Sequence, residues 1–174
     1  EDKPLTRKPA INLNDLPREE LSQKEIEGLL LMREEEKLAR DVYTTLYEKW
    51  NLRIFNNISR SEQRHTSRVK DLLDKYNLDD PVTNLKPGEF KNPEFQDLYD
   101  QLVARGSKSL SDALKVGAEI EDLDIKDLKD LLEVTDNQDI RLVYGNLLRG
   151  SRNHMRSFDR QLKRQGISYS AQHI

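Results

Sequence analysis

Four stretches of this chain carry side chains at alternating spacings of three and four, and all four stripes change character halfway along. The first runs Leu29, Met32, Glu36, Ala39, Tyr43, Leu46 and Trp50, and the second Ile58, Glu62, His65, Val69, Leu72 and Tyr76. The third runs Leu110, Leu114, Gly117, Glu121, Asp124, Leu128 and Leu131, and the fourth Ile140, Tyr144, Leu147, Ser151, His154 and Phe158. Such spacing puts each set on one face of a helix. The ends of every face are apolar, and the middles are polar or ionisable. A buried carboxylate with no partner costs several kcal/mol or takes up a proton. The pattern therefore constrains the fold and the chemistry together: four helices must turn these faces toward one another, and something must balance the layer where they meet.

The breaks between the stripes set the order of the elements. Ser22 followed by Glu25 has the spacing of a capping box, and only Gly28 interrupts good helix formers from there to Trp50. The segment "NLRIFNN" reads as a loop before a second helix over about residues 57–76. Pro81 and Pro87 forbid regular helix in "NLDDPVTNLKPGEFKN". "NPEFQDLYDQLVARG" predicts a short helix, with Asn92 as cap, Pro93 at its first position and Gly106 as its stop. A third long helix is expected over about 109–134 and a fourth over about 137–165, with "TDNQD" as the turn between them. No run alternates at period two. Residues 1–21, with Pro4, Pro9 and Pro17, read as an extended arm, 22–166 as a four-helix bundle, and 167–174 as an irregular tail. The linker over about 77–108 can cross a whole bundle, which makes helices two and three parallel: an all-α, up-down-down-up arrangement with a short extra helix in the crossover.

Composition removes several classes of function. The chain has 174 residues, 35% hydrophobic and 35% charged, with a net charge of −3. Acids and bases alternate along it, so no nucleic-acid partner is expected. Without cysteine there is no thiolate metal site, disulfide or cysteine nucleophile. The longest apolar run is "LLLM" at 29–32, so no membrane span is expected. The chain begins at Glu1, as removal of a signal peptide or a shortened sequence would leave it, and either a cytoplasmic or an exported protein fits. No glycine-rich phosphate loop or nucleophile elbow is present, and Ser67 and His65 fall on different helix faces.

What remains is metal chemistry. Divalent cations would balance the ionisable layer, with carboxylates as hard oxygen ligands and imidazoles as nitrogen ligands for iron, manganese or zinc. Residues i and i+3 lie on one helix face about 5–6 Å apart, so Glu62 and His65 can aim at one ion, or Glu62 can bridge two. Di-metal bundles take one Glu from each of two helices and Glu-x-x-His from each of the other two. This chain offers Glu36, Glu62-x-x-His65, Glu121 and Ser151-x-x-His154. Ser151 stands where a fourth carboxylate would complete the set. Asp124 is an additional ligand or a hydrogen-bonding support for one, Glu119 competes with Glu121 for the helix-three position, and Tyr43 can hydrogen-bond near the site. Three secure carboxylates fall short of the four charges on two divalent ions. That favours one ion, a weakly held second, or an added hydroxide or phosphate.

"EKLARDVY" (36–43) and "EQRHTSR" (62–68) resemble the first and second helices of rubrerythrin-like proteins, while "GAEIEDLDIKDL" (117–128) and "GSRNHMRSF" (150–158) resemble an uncharacterised prokaryotic ferritin-like family. The resemblance spans roughly residues 22–165. It implies a ferritin-like bundle with a carboxylate–histidine metal site, holding one or two iron or manganese ions, and a homodimer would suit it. For relatives of rubrerythrin it further implies oxidation of iron(II) by oxygen or peroxide. The chain departs from that pattern at Ser151 and in lacking a cysteine-ligated iron domain. The alternative is a non-catalytic scaffold with a degenerate, metal-free site that binds a partner or small ligand, with Arg40, Arg64 or Arg152 reaching in to replace the metal's charge.

Overall fold

The Ser22 hydroxyl accepts from the Glu25 backbone N–H while the Glu25 carboxylate accepts from that of Ser22, and helix α1, Gln23–Trp50, starts there. Its end is set by Asn51, which takes the left-handed conformation (φ 52°) and returns its N–H to Tyr47 O. Asn51 and Leu52 alone link it to α2, Arg53–Lys75. The second helix thus begins about four residues earlier than expected. Three asparagines make "NLRIFNN" look like a loop, but the reversal needs only Asn51 and Leu52. A crossover follows and holds α3, Pro93–Gly106, whose Asn92 cap accepts from Glu94 N. Helices α4, Leu110–Glu133, and α5, Gln138–Arg164, form a second antiparallel pair. The structure is a computed structural model describing residues 11–173, all-α and without a strand among the described residues. Residues 1–10 of the predicted arm, and Ile174, lie outside the described residues.

Contacts at the two ends fix the directions. At one end Tyr76 donates to Asp139 (2.7 Å) and Thr135 to Glu25 (2.6 Å). At the other, Trp50 Nε1 donates to Gly106 O (2.8 Å) and Ser111 to Gln165 (2.5 Å). Helices α2 and α4 therefore run parallel, and α2 and α5 antiparallel. A β-carbon on Gly106 would stand 2.9 Å from the Leu46 side chain, so glycine there lets the crossover close against α1 without moving Leu46. Two apolar cores result. One gathers around Tyr43, Phe55 and Phe158, the other around Met32, Leu72, Leu128 and Tyr144. The ionisable layer lies between them.

Every residue from Met32 to Tyr43 is buried, including Arg33, Glu34, Glu35, Lys37, Arg40 and Asp41. The cause is the crossover, which lies over α1 and is tied to it by these charges. Arg33 makes a two-pronged ion pair with Asp80 and also donates to Thr66 Oγ1. Lys37 Nζ donates to Asp41 (2.6 Å) and to the carbonyls of Lys86 and Glu89, and Arg40 donates to Asp41 and to Leu85 O. Asp41 in turn accepts from Gly88 N. Upstream of α1, a 3-10 turn at Leu13–Asp15 buries Leu13 against the second core, and Lys75 Nζ donates to the carbonyls of Leu13 and Leu16. Beyond α5, Tyr169 and the backbone N–H of His173 donate to the buried Asp122.

Candidate metal centre

Helix periodicity carries five ionisable side chains from four helices to one point between the cores. Glu36 comes from α1, Glu62 and His65 from α2, Glu121 from α4 and His154 from α5. They form two groups. In one, Glu36, Glu62 and His65 each offer a ligand atom within 4.8 Å of the others; in the second, Glu62, Glu121 and His154 do the same. Glu62 belongs to both. Its Oε2 lies 2.8 Å from His65 Nδ1 and its Oε1 2.8 Å from His154 Nδ1. Glu36 Oε2 is 3.1 Å from His65 Nδ1, and Glu121 Oε1 is 3.3 Å from His154 Nδ1. The two imidazoles stack with centroids 5.8 Å apart. Glu62 is 1% exposed, whereas the His65 and His154 side chains are 14% and 11% exposed. The histidine side is therefore the nearer to solvent.

The surroundings hold these groups in place. Tyr43 donates to Glu121 Oε1 at 2.8 Å, and Ser61 Oγ meets His154 Nε2 at 3.1 Å, which turns Nδ1 of that ring inward. Gly150 leaves room for His65: a β-carbon there would sit 2.5 Å from the ring's Cε1. Ser151 is fully buried and donates to Asp124 Oδ2 and to Leu147 O. It orients a neighbouring carboxylate. Asp124 is buried beside the centre but belongs to neither group.

Several buried acceptors have no donor: Glu36 Oε1, Glu121 Oε2, Asp124 Oδ1 and Glu35 Oε1. His154 Nδ1 is likewise without an aligned hydrogen bond despite its short distance to Glu62. Unmet buried acceptors are costly, and a cation among them would satisfy them together. Without one, protons must do so. Burial, with Glu62 next to it, pushes the Glu36 carboxyl up to about 7. Burial draws the imidazoles down, but Glu36 and Glu62 outweigh it at His65, raised to about 11, and Glu121 and Glu62 at His154, raised to about 10. Glu62 is held below its usual range by both histidines, against burial and Glu121. Burial, joined by Glu36 and Glu35, pushes Asp124 well up, and burial with Asp127 does the same for Glu35.

Some expectations need correction. Glu119 is outside the centre: it is partly exposed and pairs with Arg105, because two residues of helix turn it by about half a revolution from Glu121. None of the three arginines reaches in. Arg40 is committed to Asp41, Gln63 and the crossover, and Arg64 and Arg152 are exposed. All three acids of "REEEK" (33–37) are buried, and Glu35 stands beside the centre although it lies off the stripe. Its signal was the burial of α1 on a second side by the crossover, which periodicity on one face does not register.

The donor set, two imidazoles and three carboxylates on four helices, defines a carboxylate–histidine cluster suited to metal. The chain belongs to the family described as an uncharacterized protein domain, DUF2202, which it matches over residues 25–174. It is 58% identical over 162 residues to the uncharacterized protein MJ0754 of Methanocaldococcus jannaschii, covering 93% of this chain and 88% of that one. The crystal structure of that hypothetical protein superposes with a TM-score of 0.89 at 59% identity, over 91% of both chains.

Proposed function

We propose that this chain is a ferritin-like metal protein in which Glu36, Glu62, His65, Glu121 and His154 would hold two iron or manganese ions, Glu62 serving both groups and an added hydroxide or phosphate supplying the fourth negative charge, and that it acts as an oxidoreductase on oxygen or peroxide. The observation that carries the reading is the position of Glu62, whose two oxygens each stand 2.8 Å from a histidine of a different group. The unmet oxygens of Glu36 and Glu121 support it, since a hydrogen-bonded polar layer would have paired them. Two antiparallel helix pairs joined by a long crossover support the ferritin-like assignment.

When bound, iron or manganese would supply a one-electron couple to oxygen or peroxide. The chain's own groups prepare the site. Ser61 keeps His154 Nδ1 facing inward, and Tyr43 holds Glu121 through the oxygen that also faces His154. To hold a metal ion, His65 and His154 would each offer an unprotonated Nδ1. Asp124 is kept in place by Ser151 beside these groups.

Elemental analysis of protein purified without chelator, followed by calorimetric titration with manganese(II) and iron(II) under argon, tests the reading. The expected result is two ions per chain in the wild type, one in His154→Ala, and none held tightly in Glu62→Ala. Oxygen or peroxide consumption by the iron(II)-loaded protein tests the redox part. Absence of stoichiometric metal in the wild type, with an unchanged melting temperature at saturating manganese, would establish the metal-free scaffold instead.

A further inference from the structure

The charges of this chain alternate in sequence but sort in space. Helices α2 and α5 together hold thirteen Lys and Arg against five Asp and Glu, a formal +8, so the rest of a chain of net −3 carries −11. The bias is specific to arginine: ten of the chain's fifteen lie on these two helices. Arg53, Arg60 and Arg64 on α2 are exposed, opposite the inward stripe of that helix. So are Arg149, Arg152, Arg156, Arg160 and Arg164 on α5. The helices adjoin through Ser61 and His154, and Arg53, Arg160 and Arg164 line one groove of about 320 Å³ between them.

None of these eight arginines has a carboxylate partner among the described residues. Arg156 and Arg160 touch only the neutral Asn153 and Ser157. Some exposed cations elsewhere are paired, Lys70 with Asp74, Lys126 with Asp130 and Arg105 with Glu119. Along residues 53–70 and 140–164 the one acid that is not fully buried is Asp159, and Lys163 neutralises it. The surface also lacks what other partners need. The large exposed apolar side chains, Ile11, Leu31, Leu85 and Val134, all lie elsewhere, so it has neither an apolar centre for a protein partner nor aromatic rings for unpaired bases.

We infer that the α2–α5 face binds double-stranded DNA through its phosphodiester backbone, without reading sequence. Guanidinium groups match phosphate in a two-pronged geometry that ammonium groups lack. Arg60 and Arg64 on α2, and Arg152, Arg156, Arg160 and Arg164 on α5, recur every four residues, about 6 Å along the axis. From Arg53 to Arg64 and from Arg149 to Arg164 the rows extend about 16 Å and 22 Å, enough to meet several phosphates spaced about 3.4 Å along the duplex axis on each strand. Helices packed at about 8–10 Å put the rows near the ~12 Å width of a B-form major groove. This binding does not depend on the metal reading, since none of the eight arginines belongs to the centre.

The test is a fluorescence-anisotropy titration of the full chain with a labelled 24-base-pair DNA duplex of arbitrary sequence, at 50 to 200 mM NaCl. Five phosphate contacts predict a slope of about −4.5 in log K against log salt, a loss of roughly 500-fold over that range. Arg60→Gln and Arg156→Gln should each reduce the slope by about one with unchanged melting temperature. The combined Arg60→Glu, Arg64→Glu, Arg156→Glu, Arg160→Glu variant should abolish binding while retaining the manganese stoichiometry of the wild type. No binding at 50 mM NaCl, or binding indifferent to the single glutamine variants, would overturn the inference. Equal or tighter binding of single-stranded DNA or of an A-form RNA duplex would overturn the assignment to B-form DNA. Self-association seen by sedimentation, lost in the same variants and unaccompanied by DNA binding, would assign the face to the acidic side of a second copy instead.

Discussion

At the scale of single residues, the centre without metal is a store of protons, and this has a sign that can be measured. Glu36 is raised from the ordinary carboxyl range to about 7, with Glu35 and Asp124 raised as well. The folded chain therefore binds more protons than the unfolded one between about pH 4.5 and 7, and stability must fall as pH rises through that window. The raised imidazoles continue the decline above pH 6.5. Glu62, held low, acts in the opposite sense, losing its contribution as pH falls below about 4.5. Thermal melts in EDTA should thus peak near pH 5 and drop by pH 8, and saturating manganese should remove the drop. Ser151 gives a second prediction. Glutamate there would complete a Glu-x-x-His with His154, but the hydroxyl it replaces donates to Asp124 in a fully buried position. Ser151→Glu should cost metal-free protein about 3–5 kcal/mol in denaturant melts, and a third or fourth bound charge would be needed to offset it. The stripe pattern was enough to single out Glu36, Glu62, His65, Glu121 and His154, which the fold brings together, because burial of an ionisable group on an apolar face is visible as a break in period. Ser151 was legible as a departure but not as the partner of Asp124, since a hydrogen bond between two helices leaves no trace in the spacing on either.

At the scale of elements, the long helices were legible from caps and breakers, and the start of α2 was missed because turn-forming asparagines inside a helix look the same as those in a loop. The crossover was legible only as a length. Its packing onto α1 depends on cations that reach backbone carbonyls, and carbonyls have no sequence signature. Lys37→Ala removes an ammonium that holds Asp41 and two crossover carbonyls, in a site where it also lies 4.1 Å from the Phe90 ring centroid. It should destabilise the chain by about 3 kcal/mol, with Arg40 and Gly88 N still satisfying Asp41. Limited proteolysis should then cut first within residues 77–92. Helix α5 offers a gentler change. Gly150→Ala would push on the His65 ring, the far end of a side chain, and should weaken the Glu36–Glu62–His65 group while sparing that of His154. Titration should show one of two ions lost, with the melting temperature of the metal-free protein within a few degrees of wild type.

At the scale of the whole molecule, the burial of α1 has a consequence for how the protein opens. A helix at the corner of an ordinary bundle keeps one side in water, and its amides exchange through local fraying. Residues 32–43 have no such side: α2, α4 and the crossover enclose them, and buried cations of α1 reach backbone carbonyls of both α2 and the crossover. No partial opening can release that segment. In native-state hydrogen–deuterium exchange its amides should be the slowest of the chain, all with one free energy equal to that of global unfolding, and all rising together when manganese is added. The α5 amides beyond Phe158 should exchange faster and respond less. A spread of exchange energies across 32–43 would mean the crossover lifts away independently. A single value makes this stretch of α1 a built-in reporter of the stability of the entire chain.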